Sequence, residues 1–257
     1  MERCAKVMLI VLVTVFTTSA AMAEDTRISV YVKSRGAKFV GTSMGGARVE
    51  IRDARTDELL SEGVTSGSTG DTELIMKTAR KPGASLTTPD TADFTTTLDI
   101  TRPRLVTISA WGPVAQRQAA VETSTQQWII PGKHIVKGNA ITLDLLGFAV
   151  DVQSPSNHIK LKGTPQTVSI QANITMICGC PIEPDGLWDP DNYEIEAIIQ
   201  HEDDDPETVE MEYAGQTSQF ETEVDLEETG THHITVYAFD PENGNAGVDH
   251  SIVIVQE

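Results

Sequence analysis

The chain has 257 residues, of which 39% are hydrophobic and 5% aromatic, and its formal net charge is −19. Such acidity argues against nucleic acids and anionic lipid surfaces as partners, because both require basic patches on the protein. Val, Ile and Thr dominate the apolar and β-branched residues, a bias that favours strands. We therefore expect an acidic all-β protein whose partners are cations or other proteins.

The first 23 residues have the pattern of a secretory signal peptide. Arg3 and Lys6 form a positive start, residues 7–16 are apolar, and residues 21–23 (Ala-Met-Ala) supply a small-x-small cleavage pattern. The apolar run is too short to span a bilayer as a helix, and no cysteine follows the cleavage site to carry a lipid. We predict a periplasmic or secreted protein that begins near Glu24.

Alternation of apolar and polar residues at period two recurs along the whole chain, and no segment has the pattern of a long amphipathic helix. The alternating segments are separated by turns rich in Gly, Pro, Asp and Asn, which is typical of β-sandwiches. The clearest predicted strands cover residues 27–33, 47–52, 104–111, 140–145, 168–174, 193–199 and 248–255.

A polar Pro/Ser segment divides the chain into two strand-rich halves. We predict two β-sandwich domains in tandem, the first over residues 24–152 and the second over residues 158–257, joined by a linker at 153–157. The second half contains acidic runs at 202–205 and 221–228. We expect these runs to be solvated loops and outward strand faces rather than sites.

The first half contains a predicted hairpin at residues 46–67, in which a strand, an Asp/Thr turn and a second strand lead to a Thr-rich turn. This order resembles the carboxypeptidase regulatory-like, or transthyretin-like, β-sandwich family. The family's Pro-Gly-x-Tyr turn is represented by Pro-Gly-Lys-His at residues 131–134, without the tyrosine. The resemblance implies a fold and no activity.

The second half resembles bacterial Ig-like and PKD-like modules, through the sequence GTHHITVYAFD at residues 230–240. In such a sandwich, the loop after the second strand and the loop before the last strand lie at the end where the chain enters. The resemblance implies that the loops at 178–191 and 240–245 face the first domain. His232 and His233 are adjacent in a strand, so their side chains should face opposite sides.

Cys178 and Cys180 are the only cysteines outside the predicted signal peptide, and three interpretations of the pair stay open. Met176, Cys178 and Cys180 alternate along an extended segment and could together bind Cu(I), a soft metal, with Trp188 or a histidine completing the shell. The pair could instead be a reducible disulfide with a redox role. It could also be a local staple, in a loop that we expect to add little to the core.

Two oxygen-rich loops supply a second candidate metal site. Asp189, Asp191, Asp240 and Glu242 could converge on Ca²⁺, which takes about six to eight oxygen ligands. Ordinary turn formation is the alternative, because Asp-Pro and Asn-Gly sequences are common in turns.

No Ser/His/Asp, Cys/His or carboxylate pair has a spacing that indicates catalysis. The Gly-x-Ser-x-Gly match at residues 41–45 precedes a strand, whereas a nucleophile elbow requires a helix there. We predict an exported, non-enzymatic accessory protein that binds copper, or an exported or membrane-associated partner protein, at the interdomain end. The alternative is a structural or interaction module with the cysteine pair as a disulfide staple. A thiol–disulfide enzyme ranks third, because the thioredoxin βαβ pattern is missing.

Overall fold

The computed structural model describes residues 24–79, 81–202 and 204–257, so the predicted signal peptide at 1–23 lies outside the described residues. Within them, nearly all regular structure is β, which confirms the predicted fold class. The strands are β1 (Glu24–Ser34), β2 (Arg48–Asp53), β3 (Leu59–Val64), β4 (Phe94–Ile100), β5 (Arg104–Gly112), β6 (Val121–Ile129), β7 (Ile141–Leu145), β8 (Phe148–Ser154), β9 (Ile159–Lys162), β10 (Gln166–Met176), β11 (Glu194–His201), β12 (Glu207–Glu210), β13 (Glu212–Tyr213), β14 (Gln219–Leu226), β15 (Gly230–Phe239) and β16 (Ala246–Gln256).

The helical segments of the described residues are single turns. Three are 3₁₀ turns, at Thr42–Met44, Arg117–Ala119 and Pro190–Asn192, and one is a π-helical turn at Glu73–Lys77. The first of them, Thr42–Met44, lies within the Gly-x-Ser-x-Gly sequence at residues 41–45. A nucleophile elbow would require a full helix after the serine, and strand β2 follows instead. Across the part of the chain that the structure describes, no helix is long and apolar enough to cross a membrane.

Strand formation follows directly from the alternation in the sequence. In β10, every second residue from Val168 to Met176 is buried, while the residues between them face outward or lie half-exposed. Side chains in a strand point alternately to the two faces, so this pattern covers one face with the opposite sheet. Each fully buried Ile or Val contributes about 1.5–3 kcal/mol relative to an exposed one. His232 is buried and its neighbour His233 is exposed, as the same alternation predicts.

The first sandwich packs two sheets face to face. One sheet has the strand order β4-β1-β7, in which β1 is antiparallel to β4 and parallel to β7. The other sheet has the order β3-β2-β5-β6 and is antiparallel throughout. The hairpin predicted at residues 46–67 forms β2 and β3 of this sheet. Membership of the carboxypeptidase regulatory-like family stays a prediction.

The second sandwich has a four-stranded sheet of order β13-β14-β10-β8 and a five-stranded sheet of order β12-β11-β15-β16-β9. Strand β8 pairs antiparallel with β10, with Phe148 opposite Met176. The first sandwich therefore ends with β7 and the second begins at β8. Residues 148–152, which the sequence analysis assigns to the first domain, are part of the second sandwich, and the predicted linker at 153–157 includes the end of β8.

At the junction, each sandwich contributes residues to the hydrophobic core of the other. Ala37, from the turn after β1, is buried in the core of the second sandwich. Ala149, from β8, and Ile177, from the turn after β10, are buried in the core of the first. The junction is thus a packed apolar contact between the two sandwiches.

Candidate binding site at the junction of the sandwiches

The Met-Ile-Cys-Gly-Cys segment turns back on itself at the end of β10. The amide N of Gly179 donates to the carbonyl O of Met176 at 2.7 Å, and the amide N of Met176 donates to the carbonyl O of Cys180 at 3.1 Å. Gly179 has φ of 72°, a left-handed conformation that glycine adopts without penalty. This turn brings Cys178 and Cys180 together, with Cα atoms 5.3 Å apart, and their sulfurs form a disulfide.

The cysteine pair is buried, and the expectation that it adds little to the core is wrong. Cys178 is 0% exposed and Cys180 is 3% exposed, and both belong to the core of the second sandwich together with Met176. The reason is that the turn lies at the junction, where the two cysteines pack into the core of the second sandwich and Ile177 packs into the core of the first. With the two sulfurs bonded to each other, neither is a thiolate ligand, so the disulfide form corresponds to the staple interpretation. Copper binding by the reduced chain stays a prediction.

The disulfide turn and the two loops of the second sandwich contact the first sandwich. The indole Nε1 of Trp188 donates to the carbonyl O of Gly36 at 3.1 Å. The side-chain amide Nδ2 of Asn245 donates to the carbonyl O of Arg35 at 3.2 Å. A Cβ on Gly179 would lie 2.7 Å from the sulfur of Met44. The indole of Trp188 is therefore engaged by the backbone of the first sandwich.

A cavity of about 430 Å³ lies in the angle between the sandwiches. The disulfide turn forms one wall, and Leu187, which is 46% exposed, borders the cavity beside Trp188. Lys38 of the first sandwich also lines the cavity, and its Nζ donates to the hydroxyl of Thr72 at 3.0 Å. The lining residues are Lys38, Ser43, Thr69 and Thr72 from the first sandwich and Cys178, Gly179, Cys180, Pro181, Glu183, Leu187 and Trp188 from the second.

The carboxylates of the two oxygen-rich loops are used by the turns themselves. Asp189 accepts hydrogen bonds from the amide N of Asp185 at 2.9 Å and of Asp191 at 3.1 Å. Asp240 accepts from the amide N of Glu242 at 2.9 Å and from Nδ2 of Asn243 at 2.6 Å. In the described residues, these loops contain no three carboxylates with oxygens within 4.8 Å of one another. The turn interpretation thus accounts for the contacts seen, and calcium binding stays a prediction.

The two loops do approach each other around one phenol. Burial, and then the charges of Asp240, Asp189 and Glu242, raise the pKa of Tyr193 to about 12. The Tyr193 ring packs edge-on against Phe148, with centroids 5.0 Å apart. The phenol of Tyr193 therefore stays neutral at physiological pH.

Lys38 and Leu187 are two of the cavity residues that the sequence analysis does not single out. Each is a single residue in a turn, without a motif of its own. Their proximity depends on how the two sandwiches pack together. The alternation of apolar and polar residues within one sandwich carries no information about that packing. The sequence signal that exists is indirect: Leu187-Trp188 is an apolar pair in an otherwise acidic and Pro-rich loop.

No protein-family model and no curated protein matches this chain. Among solved structures, fibronectin(III)-like modules of Clostridium thermocellum CbhA are similar to this chain. The match covers 93% of this chain and 92% of that chain, with 13% sequence identity and a TM-score of 0.29. A chimeric titin Z1Z2-Z1Z2 tandem, functionalised with a GRGDS peptide from fibronectin, matches 92% of this chain over 93% of its own, with 7% identity and a TM-score of 0.25. At these identities and TM-scores the matches support no inference about function, which must therefore be argued from the geometry of this chain.

Proposed function

We propose that this protein is an exported, non-enzymatic binding module that receives a segment of a partner protein in the cavity between its two sandwiches. The observation that carries the proposal is the cavity itself, about 430 Å³ in volume, whose lining combines an apolar pair, Leu187 and Trp188, with one cation, Lys38, and one carboxylate, Glu183. Binding sites in proteins are concave and largely apolar, with a few placed polar groups that orient the ligand.

The lining specifies the chemistry of the partner segment. Leu187 is nearly half exposed beside the buried Trp188, so an apolar side chain of the partner would remove this surface from water. Lys38 contacts the neutral hydroxyl of Thr72, and no described carboxylate lies within 4.0 Å of its ammonium group. In a chain of net charge −19, such a cation favours a carboxylate on the incoming segment.

The disulfide supports this role by fixing one wall of the cavity. A closed Cys178–Cys180 pair cannot rotate its sulfurs into other rotamers, and its turn packs on Met44 of the first sandwich. A wall that is ordered before binding lowers the entropy lost on association. The staple would thus pre-form the site in an oxidising compartment, where disulfides persist.

The proposal is tested by site-specific photo-crosslinking in the cells that export the protein. A photoreactive residue replaces Leu187, and a matched control carries it at Lys162, at the exposed end of β9. We expect one discrete adduct from position 187 that Lys38→Glu weakens at least fivefold, and none from position 162. Equal adducts from both positions, or none from position 187, would overturn the proposal.

Metal content and a free-thiol count separate this proposal from the copper interpretation. Both are measured on protein purified without added metal. A closed disulfide predicts no free thiol and no copper. Copper near one equivalent, released when the thiols are alkylated, would instead assign Met176, Cys178 and Cys180 as its ligands.

A further inference from the structure

A second cluster of metal-ligating side chains lies at the pole of the second sandwich opposite the junction. His201 ends β11, Asp204 follows in the next turn, and Glu228 lies in the connection between β14 and β15. Nδ1 of His201 is 2.8 Å from Oδ2 of Asp204 and 3.7 Å from Oε2 of Glu228. Among the residues that the structure describes, these three alone bring His, Cys, Asp or Glu ligand atoms within 4.8 Å of one another.

Backbone hydrogen bonds place both carboxylates over the histidine. The amide N of Asp204 donates to the carbonyl O of His201 at 2.9 Å, which folds the turn back on the end of β11. The side-chain Nε2 of Gln200 donates to the carbonyl O of Asp204 at 3.1 Å. Glu228 is anchored by its own carbonyl O, which lies 2.9 Å from Nε2 of His232. Two different connections of the sandwich therefore present one carboxylate each to the same ring nitrogen.

The imidazole of His201 is oriented before any ligand arrives. Its Nε2 lies 3.1 Å from the carbonyl O of Thr229, and its ring lies against that of His232 with centroids 4.7 Å apart. The side chain of His201 is only 18% exposed. Histidines that bind metals commonly donate their second ring N–H to a backbone carbonyl, which fixes the tautomer and directs the other nitrogen at the metal. Thr229 supplies such a carbonyl, and Nδ1 is left facing the two carboxylates.

We propose that His201, Asp204 and Glu228 bind a divalent transition-metal ion of the zinc type, with water completing the shell. Imidazole and carboxylate are the ligands that Zn²⁺ shares with other borderline metals, and a ring nitrogen disfavours Ca²⁺ and Mg²⁺. With bonds of about 2.0–2.1 Å, neighbouring ligand atoms of a tetrahedral zinc lie about 3.3 Å apart. The two distances from Nδ1, 2.8 and 3.7 Å, lie on either side of that value.

A bound ion would connect the loop after β11, in the five-stranded sheet, with the loop that leaves β14, in the four-stranded sheet. It would thus cross-link the two sheets at the end of the sandwich farthest from the junction. Asp204 and Glu228 are 68% and 69% exposed in their side chains. The small movement that coordination needs can therefore come from these two side chains, while the imidazole of His201 stays in place against His232 and the carbonyl O of Thr229.

The test is isothermal titration of the mature protein with ZnCl₂, together with its melting temperature. We expect one equivalent of Zn²⁺ to bind and the melting temperature to rise. His201→Gln and Glu228→Gln should each weaken binding at least tenfold and abolish that rise. Glu227→Gln removes a carboxylate from the same connection and should leave both unchanged.

Two results would overturn the proposal. Zn²⁺ binding that is as tight in His201→Gln as in the wild type would show that the imidazole is not a ligand. Several weak equivalents, with Ca²⁺ binding equally well, would show only screening of an acidic surface. Circular dichroism of each variant confirms that its β fold is retained, and Asp204→Asn gives the same readout should His201→Gln fail to fold.

Discussion

At the scale of single residues, Asp151 shows how acidity opposes stability in this protein. It lies partly buried on β8, next to Asp249, whose Oδ2 accepts a hydrogen bond from the amide N of Val152 at 2.8 Å. Burial, and then the charge of Asp249, raise the pKa of Asp151 above its ordinary value of 3.8. The folded state therefore holds the proton of Asp151 more tightly than the unfolded state does. Ionisation of Asp151 costs stability as the pH rises through the folded pKa.

Replacing Asp151 by Asn should stabilise the protein at neutral pH, because it removes the unfavourable charge while keeping the shape. We expect a gain of about 0.5 kcal/mol or less, the usual range for substitutions outside the core. The gain should disappear at a pH below 3.8, where Asp151 is protonated in both states. Thermal unfolding as a function of pH measures this, with the exposed Asp99→Asn as the control. Destabilisation by Asp151→Asn at pH 7 would contradict the argument.

The sequence identifies the cysteine pair as the residues to examine, but not their environment. A separation of two residues permits a disulfide, a metal site or free thiols alike. Burial of Cys178 and Cys180 follows from the packing of β10 against the opposite sheet, which is a tertiary contact. The sequence analysis likewise interprets the acidic runs that contain Asp204 and Glu228 as solvated, and His201 directly precedes the first of these runs. Its one local signal is the His-x-x-Asp spacing, which puts Asp204 over the ring only when a tight turn follows the strand.

At the scale of elements, the disulfide turn depends on a glycine for two separate reasons. Gly179 and Gly163 have nearly the same positive φ, 72° and 77°. A Cβ at Gly163 would meet nothing within 4 Å, whereas at Gly179 it would lie 2.7 Å from the sulfur of Met44. The pair therefore separates the cost of backbone conformation from the cost of crowding at the junction.

Both Gly163→Ala and Gly179→Ala should lose about 1–2 kcal/mol, because an L-residue is disfavoured at positive φ. Gly179→Ala should lose a further 1 kcal/mol or so, because Met44 must shift in a packed contact. Denaturant unfolding of the two variants gives the difference directly. Equal losses in the free energy of unfolding would mean that the Cys178–Cys180 turn is not tightly packed against Met44 of the first sandwich.

The positions of the strands could be predicted from the sequence far better than the pairing between strands. Each strand predicted from alternation lies within or overlaps an observed strand, because alternation is local and reflects which face is buried. Pairing is not local, and β8 illustrates this. Its sequence, Phe148–Ser154, reads equally well as the last strand of the first sandwich, and only its hydrogen bonds with β10 assign it to the second.

At the scale of the whole molecule, the junction makes the two sandwiches one unit. A linker alone would allow them to move independently, and domains joined by small polar contacts usually do. Here Ala37 and Ile177 are each buried in the core of the other sandwich. The indole of Trp188 adds a hydrogen bond to the carbonyl O of Gly36. The cavity proposed as the binding site keeps its shape only if this junction is rigid.

We therefore expect the wild type to unfold in a single calorimetric transition, with the van't Hoff enthalpy equal to the calorimetric one. Trp188→Phe keeps an apolar ring but removes the donor of this partly buried hydrogen bond. It should cost about 0.5–1.5 kcal/mol and broaden or split the transition. Trp128→Phe, at a half-exposed tryptophan on β6, is the matched control and should leave the transition unchanged. Two separate transitions in the wild type would show that the sandwiches are independent, and a cavity between them would then lack the fixed walls that binding requires.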